Sequence, residues 1–513
     1  MKTRVFFIIS VLIVFASLIF YVPAFAADRG AIEELRASLE NPMIVKVMTG
    51  NKEKVAKLAN MGLDIAEVKK DHAVVLITKS KLNKLTQQGF SCTTINPDAN
   101  SLLTRFRAGT ALGAYHSYEQ VQKILKDAET NYPEICRVEV IGKSFEGRDI
   151  LAINITKKDS GAAKKPAGLI MGLHHSREWI SVEVPLALVN ELISKYDKDE
   201  SIKKLVDGRD IWIVPVVNPD GFIHSQTKSK MWRKNRRLNS DKSYGVDPNR
   251  NYGYEWGDVG SSDEMSDDTY HGTKAFSEPC TQAIKKLAEK HNFVGDITFH
   301  SYSELILYPF SYAYDAIAKD DKLFAQLAGE MAKFNKYTPQ KSSDLYPSMG
   351  DTDDFMYGAC GSLSFTFELG RTFIPSDAEV PRICADNVKA CIYLLEKIGT
   401  VHASTHPDFA SKTAVATARY LYAASFANNR DNEARTTLVN LLNPANDKFG
   451  KNLDEFINET SNADQKSKLA LASILKEVKN MYMNSIINAS GNTRAIIRSV
   501  EKIQTEIQKA EAE

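Results

Sequence analysis

Between residues 114 and 400 the chain alternates strand-like and helix-like segments, and this alternation constrains the fold more than any other feature. Short strand-like runs occupy 137–140, 151–155, 167–173, 211–217, 296–299 and 362–367. Between them lie longer stretches with helical spacing, at 181–196, 277–290, 321–334 and 380–398. Strands separated by helix-length segments predict an α/β fold, a mixed and mostly parallel sheet with helices on both faces. In such sheets ligands bind beyond the carboxyl ends of the strands.

The 513 residues exceed one ordinary domain. Residues 1–26 read as a Sec-type signal peptide: Lys2 and Arg4, an apolar run, then Ala24-Phe25-Ala26 with small residues for cleavage. This predicts a secreted protein with no membrane attachment after signal removal. Residues 27–107 read as a small α/β unit, with strands near 44–47, 72–78 and 92–95 and helices near 52–61 and 79–88. The unit ends in a polar, basic, glycine-containing stretch around Arg105 and Arg107, the kind of exposed segment that proteases cut. Residues 108–400 form the main domain. From 401 to 513 the texture is that of an all-helical C-terminal region. A net charge of +1 gives no basis for a nucleic-acid partner. The six cysteines form no CxxC pair, so a sulfur-ligated metal is not expected.

The chemistry begins where the strand at 167–173 runs into His174-His175-Ser176-Arg177-Glu178. His175 and Glu178 stand three positions apart, close enough to grip one zinc ion from a single turn. His300 ends another strand and would supply a third ligand at the same sheet edge. Two histidines and a carboxylate with an open fourth position describe catalytic zinc, one ion for the domain. Glu368 ends a third strand and is placed to take a proton from water.

These residues lie in segments that resemble the carboxypeptidase A/B family of zinc exopeptidases. The segments are His175-Ser176-Arg177-Glu178-Trp179-Ile180, Trp232-Arg233-Lys234, Asp247-Pro248-Asn249-Arg250-Asn251, His300-Ser301-Tyr302-Ser303 and Phe365-Thr366-Phe367-Glu368-Leu369. The expected branch is bacterial and carboxypeptidase T-like. The resemblance implies zinc ligation by His175, Glu178 and His300, with Glu368 as general base and then acid and Arg233 stabilising the oxyanion. It implies that Asn249 and Arg250 capture the substrate's free carboxylate, and that Tyr346 closes over the bound terminus. Arg177, Ser301 and Tyr302 would contact the penultimate position. Asp353 matches the floor of the terminal-side-chain pocket, where an acid favours terminal Lys or Arg. Ser311 would narrow that pocket, and Lys341 nearby would be a rival partner for Asp353. Residues 27–107 match an inhibitory prosegment in position and size. The resemblance thus implies a zymogen opened by an activating protease near Arg105 or Arg107, and a monomer acting on peptide or protein C-termini. A peptidase of cell-wall stem peptides and a catalytically silent binding module are the competing readings.

Overall fold

The computed structural model describes residues 42–103, 112–158, 165–257 and 259–404. The signal segment, the stretch around Arg105 and Arg107, and the expected C-terminal helices lie outside the described residues.

The N-terminal unit has strands β1 (Met43–Met48), β2 (Asp64–Val68), β3 (His72–Ile77) and β4 (Cys92–Asn96) in one antiparallel sheet, order β2-β3-β1-β4. Helices Lys52–Asn60 and Lys79–Gln87 start where side chains can cap them: Asn51 accepts from the Lys54 N–H and Thr78 from the Lys81 N–H. Val45, Val47, Leu58, Val75, Ile77 and Leu85 are buried between sheet and helices as a core of their own.

The main domain has eight strands: β5 (Cys136–Lys143), β6 (Asp149–Ile155), β7 (Ala167–Gly172), β8 (Asp210–Val214), β9 (Gly295–His300), β10 (Leu305–Tyr308), β11 (Thr338–Lys341) and β12 (Leu363–Glu368). They form one sheet in the order β11-β10-β12-β9-β7-β8-β6-β5. The central run β12-β9-β7-β8 is parallel, and antiparallel pairs flank it. Every residue of β7 and β9 is buried, which requires cover on both faces. Helices Ile180–Lys195, Asp321–Asn335 and Val380–Lys397 contact one another as part of that cover.

Three strands were not anticipated, β2, β10 and β11. All are short, and Asp64 and Glu67 in β2 or Pro339 in β11 obscure a strand pattern. All six cysteines are free. No helix among the described residues is long and apolar enough to cross a membrane.

Candidate active site

The register of the central strands assembles the site. Glu368 pairs directly with His300 across β12 and β9, and Phe299 pairs with Gly172 across β9 and β7. The carboxyl ends of three strands thereby meet. At Gly172 a Cβ would fall 2.1 Å from the Ser181 carbonyl oxygen, so only glycine lets the chain turn so close to the following helix. Leu173 then adopts a left-handed φ of 54°, held by an N–H bond to Ser181 Oγ and by its carbonyl accepting from the Asn218 N–H. That turn aims His175 and Glu178 across the sheet edge.

His175 Nδ1, His300 Nδ1 and the Glu178 carboxylate converge. His175 Nδ1 lies 2.9 Å from Glu178 Oε1, His300 Nδ1 lies 2.9 Å from Oε2, and the two Nδ1 atoms are 3.1 Å apart. Three donors on a tetrahedral zinc ion would stand about 3.3 Å from each other at ordinary zinc–ligand lengths, so the cluster fits that ion. The second nitrogen of His175 supports this orientation: Nε2 lies 3.0 Å from Asp247 Oδ1, which leaves Nδ1 as the free lone pair. Burial works against the Glu178 charge, but His175 and His300 outweigh it and hold its pKa down.

Asp247 also fixes Arg233, accepting from Nε at 3.0 Å and Nη2 at 2.7 Å. Burial opposes the Arg233 charge, and Asp247 and then Asp64 more than restore it. Glu368 is pushed up by burial and next by the Glu178 charge, against the pull of Arg233, Arg250 and Arg177.

Asn249 and Arg250 stand on the other wall. Asn249 Oδ1 accepts from both the backbone N–H (2.9 Å) and Oγ1 (2.6 Å) of Thr352, so the amide's NH2 is the end left for a ligand. Arg250 gives Nε to the Gly260 carbonyl and points Nη2 at the Tyr346 hydroxyl, 3.3 Å away. Asp353 is buried with Ser342 Oγ donating to it. Lys341 does not pair with Asp353: its Nζ donates to the Tyr314 carbonyl at 3.2 Å. Ser311 lines the pocket, as expected, and shares a hydroxyl contact with Ser348.

One cavity of about 60 Å³ is lined by His175, Glu178, Arg177, Arg233, Asn249, Arg250, His300, Ser301, Tyr346, Asp353 and Glu368. Tyr302 is not in its wall; it stacks edge-on against Phe373, 5.0 Å away. The cavity has room for only a few waters at about 10–15 Å³ each, too little for a peptide terminus. It is small because Ile65 and Ala66 of β2 form one side. Asp64, at the start of that strand, ion-pairs with Arg177 at 2.6 Å and approaches Arg233 Nη1 at 3.5 Å. Asp64, Asp351 and Thr352 escaped the sequence reading. The first comes from a different folding unit, Asp351 reads locally as a helix cap, and Thr352 acts on Asn249, 103 positions away.

A two-histidine, one-carboxylate cluster at the carboxyl edge of such a sheet, with a further carboxylate and guanidiniums lining the same cavity, has the donor set of a catalytic zinc enzyme. Residues 121–390 match the family model for zinc carboxypeptidases. Carboxypeptidase B of Rattus norvegicus is 33% identical over 300 residues, covering 56% of this chain and 72% of that one. A zinc carboxypeptidase of Saccharothrix mutabilis subsp. capreolus is 33% identical over 268 residues, covering 50% and 62%. The crystal structure of carboxypeptidase A from Helicoverpa armigera superposes with a TM-score of 0.63 at 24% identity, covering 71% of this chain and 98% of that one, and shows the same fold. The chain belongs to the zinc carboxypeptidase family. It is a zinc-dependent metallocarboxypeptidase that removes residues from peptide C-termini.

Proposed function

We propose that His175, Glu178 and His300 hold the zinc and that the enzyme is secreted as a monomeric zymogen favouring terminal Lys or Arg. When bound, the ion acidifies a water and polarises the scissile carbonyl. Glu368, beside His300 in the sheet register, takes the water's proton and passes it to the leaving amine. Arg233, held rigid by Asp247, offers its remaining N–H groups to the oxygen that gains charge. Arg250 and the Asn249 amide receive the free carboxylate, with the guanidinium fork suited to two oxygens. Tyr346 closes over that terminus, while Arg177, Ser301 and Tyr302 serve the penultimate residue. Asp353, buried and without a cation, favours a basic terminal side chain.

Residues 27–107 act as the inhibitory prosegment and 108–400 as the catalytic domain. The Asp64 contacts with Arg177 and Arg233 support this reading, because a carboxylate there occupies groups assigned to substrate. Removal of residues 1–26 and cleavage near Arg105 or Arg107 would yield the active, extracellular form. The free cysteines favour a carboxypeptidase T-like placement, whereas the mammalian carboxypeptidase B matches over more residues, 300 against 268, than the bacterial enzyme at the same 33% identity.

The carrying observation is the convergence of three donor atoms within about 3 Å beside Glu368. Blocked dipeptides ending in Arg, Lys or Phe test it, before and after limited proteolysis. Glu368→Gln is expected to keep one zinc per chain while losing turnover by at least about a hundredfold. Retained turnover would remove Glu368 from the mechanism, and equal rates on Arg and Phe would remove the basic preference.

A further inference from the structure

The pocket assigned to the terminal side chain holds more negative charge than one specificity residue requires. Asp351, Asp353 and Asp354 are all buried, and each offers an oxygen within 4.8 Å of the others. Asp354 is occupied by the backbone, since the Ser311 and Tyr312 N–H groups donate to its two oxygens at 2.8 and 3.1 Å. Asp351 and Asp353 instead line the same cavity as Arg250 and Glu368.

Their partners are neutral. Ser342 Oγ donates to Asp353, while Ser348 Oγ (3.0 Å) and the Asp354 N–H (3.2 Å) donate to Asp351. Among the described residues no Lys, Arg or His forms an ion pair with either carboxylate, and Lys341 faces the Tyr314 carbonyl. The other charged groups on the surrounding elements do not neutralise them. Asp296 of β9 adds a carboxylate, held by Ser362 and Ser364. Glu368 of β12 adds another, Arg250 is engaged by the Gly260 and Asn249 carbonyls, and Tyr346 is a phenol. Burial, and next the Asp351 charge, push the Asp353 pKa well up. With a second buried carboxylate this close and no cation beside it, the Asp353 carboxyl holds its proton.

Resting on the reading that Asp353 receives the terminal side chain, we propose that Asp351 is a second specificity carboxylate. Asp353, beside Asp351, holds a proton while the pocket is empty and releases it to solvent when a cationic side chain enters between the two carboxyl groups. A terminal arginine suits this site best, because its planar fork can reach both carboxylates where an ammonium is a point charge. Proton release makes selectivity depend on pH. In acid the pocket with Asp353 protonated tolerates apolar termini, and as pH rises basic termini gain.

The test uses the zinc-loaded enzyme in its active form and measures kcat/KM for matched blocked dipeptides ending in Arg, Lys or Phe between about pH 5 and 8, a range that starts above the ordinary carboxyl value of about 4. The Arg-to-Phe ratio cancels titrations common to both substrates, including those of Glu368. In the wild type it should climb with pH, by at most about tenfold per unit. Asp351→Asn keeps a good helix cap. It should flatten that dependence and lower the ratio at the alkaline end by about tenfold, the worth of one charged hydrogen bond. A flat wild-type ratio overturns the proton held on Asp353 without requiring any variant to fold. An Asp351→Asn enzyme with the wild-type ratio and slope removes Asp351 and leaves Asp353 standing. Undiminished basic preference in Asp353→Asn overturns the pocket assignment itself.

Discussion

At the scale of single residues, the site is a set of side chains each held by a neighbour that performs no chemistry. Asp247 is one such neighbour, orienting His175 and Arg233 with its two oxygens. Thr352 is another. It is fully buried, and its hydroxyl and N–H both donate to Asn249 Oδ1, which forces the amide's donors toward the cavity. Thr352→Val preserves shape and the backbone bond but frees the amide to flip. KM for carboxylate-ended peptides should then rise by about tenfold, one lost hydrogen bond's worth, with kcat much less changed. Thr352→Ser should restore the wild-type KM. A fall confined to kcat, with KM constant, would show that Thr352 acts elsewhere.

Elements explain which parts of this site can be read from sequence. His175, His300 and Glu368 each follow or end a strongly patterned strand, and strand termini of a parallel sheet share an edge, so their meeting follows from pattern and topology. Asp351 and Asp64 carry no such signal. Asp351 is a helix cap by its local pattern, and Asp64 opens a strand too short and too polar to stand out. Asp296 illustrates the same limit within β9, where every residue is buried whatever its polarity. Burial raises its pKa to about 7, although Ser362 and Ser364 donate to it and pull the other way. The unfolded chain's carboxyl ionises from about pH 4. Between those values the folded form holds an extra proton, so stability falls as pH rises and the loss is complete above about 7. Asp296→Asn should therefore raise stability at pH 8, by up to about 4 kcal/mol, and do little at about pH 4. Urea unfolding at both values checks this. An equal effect at the two would mean that charge burial is not the cause.

Across the whole molecule, the two folding units are joined by polar contacts that concentrate on the site. Thr269 Oγ1 donates to the Gly62 carbonyl at 2.9 Å, Lys81 pairs with Asp267 at 2.8 Å, and Lys52 reaches Asp344 at 2.6 Å. The last pair is largely exposed and contributes little. Tyr346 also packs against the N-terminal unit's core, so the side chain proposed to close on substrate is held by the proposed prosegment. Asp64 is buried, and it engages two guanidiniums of the cleft, Arg177 and Arg233. If that carboxylate is the latch, Asp64→Ala should leave Arg177 without its ion-pair partner and loosen the unit from the cleft. Removing one partner of a buried pair costs about 3–5 kcal/mol. The uncleaved variant should then hydrolyse peptides at least about tenfold faster than the uncleaved wild type, while the two match after proteolysis. Equal latency before cleavage would assign inhibition to the bulk of β2 rather than to its charge. Ile65 and Ala66 would then close the cavity by themselves, and replacing Lys52 and Lys81 with alanine would not relieve the inhibition.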